Sequence, residues 1–364
     1  MGLHDIIHDA SSVSGIGYSI SRMTELSFHV LRRLADGDFH SGAALARALG
    51  VSRGTVWNAV RAIDAAGLRV YKVRGRGYKL SAAVSLLDRE SIVRHAGVCA
   101  TRYVIDLVDT AASTNTLLMQ RAADGAPSGS VLAAEWQQRG RGRMGRSWHA
   151  GLGGALTFSV LWRFNHGAHA LSGLSLAAGV ALIRALLQLG AQDALLKWPN
   201  DVLWRGQKLA GMLIEMQGDA LGPSAVVIGI GLNVRLSEEV KSRIDQPAAD
   251  LEAACERPLD RSRVLAVVLG QLADVLDRFS QEGFAPLRDE WQRHHAHQGR
   301  TVAVKLPSGK IEHGIALGAA DDGALLFQTG DAVRRLHSGE LSLHEAGGAK
   351  GRGIYKNARA RSGA

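Results

Sequence analysis

The spacing of apolar residues changes twice along this chain. Between residues 24 and 67 they recur every three or four positions, the repeat of an amphipathic helix. Three short helices are predicted, with inward faces formed by Leu26, Val30, Leu31 and Leu34, by Leu45 and Leu49, and by Val56, Val60 and Ile63. Residues 68–80 instead alternate around Gly75-Arg76-Gly77, which indicates a β-hairpin with a basic tip.

Polar residues and glycines mark the ends of these helices. Ser41 and Ser52 stand where N-cap residues are expected, and Gly37 and Gly50 stand where helices end. Helix, tight turn, helix and basic hairpin resemble a winged helix-turn-helix, in which the third helix enters the major groove and the hairpin contacts phosphates. An interaction module with a solvated charged face is the alternative. The predicted DNA contacts are Arg53, Thr55, Asn58, Arg74 and Arg76.

From about residue 101 strands alternate with longer helices, which predicts a mixed α/β domain. The alternation over Gly154–Trp162 predicts a half-buried strand, and Val226–Val234 reads as a fully buried one. Leu174–Leu189 is predicted to be a helix that is apolar on most faces. The longest apolar stretch, residues 171–190, contains Arg184 and several small residues, so we expect a core helix and not a membrane span.

Charge separates the two ends of the chain from its middle. The 364 residues predict two or three domains, and 46% hydrophobic content fits a globular protein. Residues 1–83 carry +5 of the formal charge of +9, residues 347–364 carry another +5, and residues 84–346 sum to −1. The first excess favours DNA as a partner. The terminal segment has little to bury, so disorder is expected there, with a role in nucleic-acid affinity left open.

Cysteine usage and the first residues bear on the compartment. Cys99 and Cys255 are too few for a disulfide framework, and no CxxC or Cys/His cluster suggests zinc. We expect buried free thiols and a cytoplasmic location. No basic signal-peptide region is visible at the start. Residues 1–23 are predicted to be a disordered extension, and translation from Met23 is as plausible as from Met1.

One segment concentrates positive charge within eight residues. Residues 133–150 leave a strand and carry Arg139, Arg141, Arg143 and Arg146 with interleaved glycines. Glycines let a backbone approach a ligand, and guanidinium groups bind phosphate or carboxylate with two hydrogen bonds. Four cations this close predict a compensating anion. A flexible RGG-type nucleic-acid segment is the alternative, but flanking strands and Trp148 favour an ordered loop.

Two further regions carry candidate chemistry. Asn200-Asp201 after Pro199 predicts a turn, in which Asp201 either caps the backbone or binds magnesium. Lys208 begins an apolar strand and is either solvated or neutralises a carboxylate and a phosphate that are being joined. The segments Asp109–Asn115 and Gly229–Asn233 put small and polar residues at strand ends, where α/β proteins bind ligands.

The strings GRGRMGRSW and KWPNDVLW…KLAGMLIE, with their order and spacing, resemble the biotin–protein ligases. With a winged helix in front, the resemblance extends to the bifunctional biotin ligase–biotin operon repressors of bacteria, from about Leu26 to about Leu343. The chain departs from the family at Met144, where a second basic residue is common, and in both terminal extensions. These departures leave the ligase interpretation intact.

The resemblance implies an α+β multidomain fold. A winged helix-turn-helix would span residues 24–83 and a mixed α/β ligase domain, similar to class II synthetases, residues 84–297. An SH3-like β-barrel would follow at 298–346, where turns are predicted at residues 307–309 and 321–323. The extension 1–23 and the basic tail 347–364 would flank these domains.

The same resemblance implies two-step chemistry. Biotin and Mg²⁺-bound ATP would give biotinyl-5′-AMP, and a lysine of the biotin carboxyl carrier domain of acetyl-CoA carboxylase would take the biotinyl group. Lys208 and Arg143 would be catalytic. The biotin site would comprise Ser113, Thr114, Asn115, Gln137, Arg141, Gly142, Arg143 and Lys208. The adenylate site would add Gly140, Gly211, Gly229 and Asn233. The adenylate-bound homodimer would repress transcription at operator DNA.

Three alternatives stay open. The winged helix would be merely structural in a ligase-only enzyme. A lipoate-type ligase shares the adenylation logic, although the arginine loop beside Ser113-Thr114-Asn115 disfavours it. A regulator that senses a small molecule without catalysis would not need both Lys208 and Arg143.

Overall fold

A computed structural model describes residues 23–218 and 222–343, and its N-terminal unit is a helix-turn-helix followed by a two-stranded wing. The side chains of Thr24, Ser41 and Ser52 accept the first amide hydrogen bonds of the three helices. The predicted winged helix-turn-helix is confirmed. Its elements are α1 (Glu25–Leu34), α2 (Gly42–Leu49), α3 (Arg53–Ala65), β1 (Val70–Val73) and β2 (Gly77–Leu80).

The predicted apolar faces of α1 to α3 meet in one core, but α1 buries Phe28 more deeply than the predicted Leu26. Leu26 is only partly buried, and Phe28, which the helical spacing did not single out, is 1% exposed. Met23 packs partly buried against this core. The expectations for residues 1–22 and 347–364 lie outside the described residues.

The N-terminal unit packs against the chain on both sides of the arginine-rich segment. Trp136, near the end of the preceding strand, and Leu152, after the segment, belong to the N-terminal core. Arg235 donates a hydrogen bond to the carbonyl of Ala83 at 3.0 Å. The N-terminal unit and the central domain therefore share apolar surface beside that segment.

A seven-stranded sheet organises the central domain, in the order β3-β4-β5-β9-β8-β7-β6. β3 and β4 run parallel and the other neighbours antiparallel. Its strands are β3 (Val104–Ala111), β4 (Ser130–Gln137), β5 (Ala155–Phe164), β6 (Ala194–Lys197), β7 (Asp201–Trp204), β8 (Gln207–Gly218) and β9 (Ser224–Asn233). Its helices are α4 (Arg89–Ala96), α5 (Thr114–Ala123), α6 (Leu174–Leu189), α7 (Glu238–Lys241), α8 (Leu251–Cys255), α9 (Arg261–Glu282) and α10 (Arg288–Arg293). Short 3₁₀ turns occupy Gly97–Arg102, Arg143–Gly145, Ala168–Leu171 and Ala285–Leu287.

Both faces of this sheet are covered, which corrects the expectation for β5. Helices α6 and α9 pack on one face, and α5 packs on the other through Leu118 against Leu161 and Val227. Strand β5 is therefore buried on both sides, and the predicted half-buried strand was wrong. The polar residues that produced the alternation, Thr157 and Ser159, are themselves buried.

Helix α6 lies inside this core. Among the described residues one stretch, Ala168–Leu189, is long and apolar enough to cross a membrane. Most of α6 is inaccessible to solvent, packed between the sheet and α9. The expectation of a core helix is confirmed.

The C-terminal unit consists of β-strands, as expected, and forms a five-stranded antiparallel sheet in the order β13-β12-β11-β10-β14. Trp198 of the central domain donates its indole N–H to the carbonyl of Gly323 at 3.1 Å. Apolar residues such as Val304 and Phe327 join the central core. The strands are β10 (Arg300–Lys305), β11 (Ile311–Ala319), β12 (Leu325–Thr329), β13 (Ala332–Leu336) and β14 (Glu340–Leu343).

Both cysteines are free, but neither is fully buried, which corrects that part of the expectation. Cys99 lies in a 3₁₀ turn and Cys255 is the last residue of α8, so each sits at the edge of the core. Partial burial still raises the pKa of both thiols.

Candidate active site

A cavity of about 580 Å³ lies between the arginine loop, the β6–β7 turn and strands β8 and β9. Its volume is in the range of ~300–1,000 Å³ that is typical of small-molecule sites. The fold brings most of the predicted site residues together here. Those that line the cavity are Ser113, Thr114, Asn115, Gln137, Arg141, Gly142, Arg143, Asp201, Lys208, Gly211, Gly229 and Asn233.

Gly140, predicted at the adenylate site, is not among the lining residues but shapes the wall. Its carbonyl accepts a hydrogen bond from the amide of Trp148 at 2.8 Å. A Cβ at Gly140 would lie 2.7 Å from the Trp148 carbonyl oxygen, too close for any side chain. Gly140 therefore sets the position of Trp148, which does line the cavity.

The start of α5 forms a polar corner of the cavity. Ser113 is the N-cap of the helix, and both the amide and the hydroxyl of Thr114 donate to Oε1 of Gln137, at 2.7 and 3.2 Å. These bonds fix the plane of the Gln137 amide and turn its Nε2 donors away from Thr114. The corner can thus offer oriented hydrogen bonds to a polar ligand.

Asn115 forms the adjoining floor and is held from three sides. Its Nδ2 donates to the carbonyl of Leu213 at 3.1 Å and to Oε2 of Glu215 at 2.9 Å, while its Oδ1 accepts from Ser159 at 2.6 Å. A Cβ at Gly229 would lie 2.1 Å from Asn115 Oδ1. Because no side chain fits there, glycine is required for β9 to approach α5.

The arginine loop is an ordered hairpin, in agreement with the favoured interpretation. The amide of Gly142 donates to the carbonyl of Arg146 at 2.7 Å, and Arg141 and Ser147 form an isolated β-bridge. Met144 at the tip has φ of 54°, a left-handed conformation that few non-glycine residues adopt, and it is exposed.

The four arginines do not act as one cationic cluster, which differs from the expectation of a single compensating anion. Arg141 pairs with Glu215 at 2.8 Å, and Arg146 pairs with Glu340 of the C-terminal sheet. The hydrogen bond to Glu340 raises the pKa of the Arg146 guanidinium. Arg139 is exposed and does not line the cavity.

Of the three loop arginines that line the cavity, Arg143 is the one without a carboxylate partner among the described residues. Its Nη1 donates to Oδ1 of Asn200 at 3.2 Å, and Asn200 in turn donates to the carbonyl of Met212 at 2.7 Å. Burial lowers the pKa of Arg143, because the charged form loses water. A desolvated guanidinium facing a cavity binds an anion more strongly than an exposed one.

Lys208 and Asp201 face each other across the β7–β8 hairpin. Lys208 Nζ lies 2.8 Å from Asp201 Oδ1, and both side chains are mostly buried. A Cβ at Gly211 would lie 3.1 Å from Lys208 Cε and 3.4 Å from Asp201 Oδ1, so glycine gives this pair its room. Across residues 23–218 and 222–343, no group of three or more His, Cys, Asp or Glu side chains is placed to hold a metal ion.

Sequence reasoning missed Lys197 as a site residue, although it stands in the motif KWPND. It is the last residue of β6, lines the cavity and has no carboxylate of the described residues within 4 Å. Burial lowers the pKa of its ammonium group. The signal available in the sequence was the position of this lysine, directly before Trp198 and Pro199 in the motif.

The wall around Asn233 was also missed. Ile244, Asp245, Gln246 and Ala248 line the cavity because the backbone of Lys208 pairs with this segment, through Lys208 N to Pro247 O at 2.8 Å. No motif marks these residues in the sequence. Asn233 donates to the carbonyl of Ala249 at 3.1 Å, and its buried Oδ1 has no protein partner in the described structure.

The predicted DNA contacts are exposed, with one exception. Arg53, Asn58, Arg74 and Arg76 are exposed, and Arg76 lies 4.0 Å above the ring of Phe39. Thr55 is only partly exposed, and its hydroxyl is within 2.8 Å of Ser52 Oγ at the helix N-cap. That hydroxyl is therefore already engaged in capping.

Comparison with known families agrees with this three-part arrangement. The model described as the biotin/lipoate A/B protein ligase family matches residues 107–233. The HTH domain model matches residues 27–79, and the biotin protein ligase C terminal domain model matches residues 297–343.

Individual relatives share most of the chain. The bifunctional ligase/repressor BirA of Escherichia coli is 35% identical over 315 residues, which cover 86% of this chain and 95% of that protein. A biotin–[acetyl-CoA-carboxylase] ligase of Mycobacterium tuberculosis is 35% identical over 242 residues, covering 65% of this chain and 88% of that one. A biotin protein ligase from Aquifex aeolicus, solved with biotin and ATP, superposes with a TM-score of 0.56 at 27% identity, covering 66% of this chain and 99% of that one.

Proposed function

Because this chain belongs to the biotin protein ligase family, we propose that its cavity makes biotinyl-5′-AMP from biotin and ATP. The chain is a biotin protein ligase that also carries a helix-turn-helix domain. The observation that carries the proposal is the distribution of charge in the cavity. Arg143 and Lys197 face it without a carboxylate partner among the described residues, while the other two loop arginines that line it, Arg141 and Arg146, are paired with glutamates.

The first step joins two anions, and the site chemistry suits that. A carboxylate oxygen of biotin attacks the α-phosphorus of ATP, the bond to the pyrophosphate oxygen breaks, and pyrophosphate leaves. Arg143 and Lys208 would offset the negative charge that accumulates at the reacting oxygens. Gln137, Thr114 and Asn115 would orient the polar head group of biotin through the corner and floor described above.

In the second step a lysine amine attacks the carbonyl carbon of the mixed anhydride, and AMP leaves as the amide bond forms. The chain must keep water from this anhydride until the amine arrives. The hairpin that carries Arg143 stands over the cavity and would act as its cover. The biotin carboxyl carrier domain of acetyl-CoA carboxylase is the proposed acceptor.

Mg²⁺ would enter with ATP as part of the substrate. The carboxylate of Asp201 is already paired with the ammonium group of Lys208. By itself it is therefore a poor ligand for Mg²⁺. Mg²⁺ keeps waters and binds substrate phosphates readily, so the triphosphate would supply most of its ligands, with Asp201 as the proposed protein contribution.

We further propose that the adenylate-bound chain is a cytoplasmic homodimer that binds operator DNA. The exposed basic surface of α3 and the wing supports the DNA contact. The proposed domain limits stay as the sequence predicts them, 24–83, 84–297 and 298–346.

One assay tests the proposal against its alternatives. The full chain is incubated with ATP, Mg²⁺ and either biotin or lipoate, and the product is identified by mass. We expect biotinyl-AMP with biotin and no adenylate with lipoate. Adenylate from lipoate would favour a lipoate-type ligase, and no adenylate from either would favour a regulator without catalysis.

A DNA titration separates the repressor from a ligase with a structural winged helix. We expect Arg76→Ala to weaken binding of all duplex sequences about equally and to flatten its dependence on salt, because a phosphate contact is lost. An unchanged salt slope would argue against the wing contact. Absence of DNA binding by the unmodified chain, with biotinylation intact, would leave the ligase-only reading.

A further inference from the structure

One carboxylate joins the arginine loop to helix α5. Glu215 lies on β8, and its Oε2 accepts hydrogen bonds from Arg141 Nη2 at 2.8 Å and from Asn115 Nδ2 at 2.9 Å. Its Oε1 accepts from Arg141 Nη2 at 3.0 Å. Arg141 Nη2 also lies 3.0 Å from Oγ1 of Thr116, on α5. Glu215 itself does not line the cavity.

We propose that Glu215 is a positioning residue that holds the arginine loop closed over biotin and the adenylate. The inference rests on the proposed function, since it assigns a role to a residue next to that site. It reaches the reacting atoms only through Arg141 and Asn115, so it is not a catalytic residue.

The position of Arg141 in the hairpin is the first reason. Arg141 and Ser147 form the β-bridge at the base of the hairpin, and Arg143 lies two residues further along, toward the tip. The other leg is held by Arg146, which pairs with Glu340. Each leg is thus tied to the body of the protein by one carboxylate, and Arg143 between them remains available to an anion.

The second reason is charge. Without Glu215 the Arg141 guanidinium would be a second free cation near Arg143, able to compete for the same phosphate or carboxylate. With Glu215 it is neutralised and tied to α5 through Thr116. The same carboxylate fixes the amide of Asn115, whose Oδ1 is set by Ser159. One group therefore couples the cover of the cavity to its floor.

The two readouts are the dissociation rate of preformed biotinyl-AMP from the full chain and the KM for biotin. We expect Glu215→Ala to increase both by about tenfold and Glu215→Gln by about threefold, because the amide keeps hydrogen bonds but loses the ionic attraction. The rate of adenylate formation at saturating biotin should stay within about twofold, since the reacting cations are untouched.

A control is available in another ion pair between the central sheet and α5. Asp106 of β3 pairs with Arg121 of α5 at 2.7 Å, and neither residue lines the cavity. We expect Asp106→Asn to leave both readouts unchanged. In a double-mutant cycle, Glu215→Gln and Arg141→Gln should be non-additive, because each removes the same pair.

The proposal would be overturned if folded Glu215→Ala released biotinyl-AMP at the rate of the unmodified chain and had the same KM for biotin. If the alanine variant does not fold, the same result in Glu215→Gln would overturn it. A fall in thermal stability with no change in adenylate release would assign Glu215 a structural role only and overturn it too. If the unmodified chain forms no adenylate, the proposed function fails, and the role of Glu215 fails with it.

Discussion

Arg32, in the first helix of the DNA-binding unit, forms an ion pair with Asp109, near the end of β3. Asp109 stands four residues before Ser113, where the polar corner of the cavity begins. The pair is a direct polar link between the winged helix-turn-helix and the strand that leads into the candidate biotin site.

Arg32→Ala should weaken the communication between these two regions. Partly exposed ion pairs contribute less than ~1 kcal/mol, so we expect little change in stability or in biotinylation. The ratio of DNA affinities with and without biotin plus ATP should fall, because an ion pair that joins the two regions is gone. A fluorescence-anisotropy titration measures this ratio. Arg33→Ala, an exposed neighbour, is the control, and an equal ratio in both variants would rule out the link.

Lys208→Ala should abolish biotin-dependent exchange between ATP and pyrophosphate. The variant removes a cation from the cavity and leaves the mostly buried Asp201 carboxylate without its partner, which adds negative charge where two anions must meet. Isotope exchange measures the first step alone. Lys241→Ala, which breaks an exposed pair with Glu238 on α7, should exchange normally. Normal exchange in Lys208→Ala would refute the catalytic role.

Arg143→Gly should release the adenylate before transfer. Arg143 is the partly desolvated loop cation that faces the cavity, so its loss weakens the hold on the phosphate. Free biotinyl-AMP would then label lysines of bystander proteins, which a streptavidin blot detects. Arg139→Gly, outside the cavity, should not do so. Labelling confined to the acceptor in the Arg143 variant would contradict the role.

Stability should fall as the pH drops below about 6.5, because His295 and His297 are buried at the junction of the central and C-terminal units. Burial lowers the pKa of each to about 4, with His295, Lys197 and Arg300 adding repulsion at His297. A histidine whose folded pKa is depressed contributes its full stability above its unfolded pKa and loses it as the pH falls toward the folded one.

Between pH 7 and pH 5 we expect a loss of about 2 kcal/mol per histidine in the free energy of unfolding. Urea titrations at the two pH values measure it. His297→Phe, which fills the same apolar site without a titrating group, should remove about half of the pH dependence. An unchanged pH dependence in this variant would show that other groups carry it.

Glu135→Gln should destabilise the whole chain. Glu135 and Arg261 form an ion pair at 4% and 1% exposure, and Arg261 also donates to the carbonyls of Ser85 and Ala155. Breaking one side of a buried pair leaves the other charge uncompensated, at a cost of ~3–5 kcal/mol. Urea unfolding measures the change. Glu282→Gln, in an exposed helical pair with Arg278, should change stability by less than ~0.5 kcal/mol. A similar small effect for Glu135→Gln would contradict the prediction.

The spacing of apolar and capping residues predicted the helices well, because the limits of a helix depend mainly on residues that are close in sequence. Helix α6 begins and ends where its apolar pattern does, and α3 begins after the expected cap, Ser52. Helix periodicity and capping involve residues within four positions, so one segment contains all of the information. Strand β5 is different, because its second face is covered by α5, which no pattern within β5 records.

The sequence by itself determined the three-part organisation, the family and the motif residues that line the cavity, because a motif is complete within its own segment. It did not identify Lys197 or the wall that contains Ala248. Only the tertiary structure decided which arginine is free to bind an anion. Arg141 is neutralised by Glu215, 74 residues away, and Arg146 by Glu340, 194 residues away. The charge of a side chain is a property of the residue, but its availability depends on partners that only folding brings within reach.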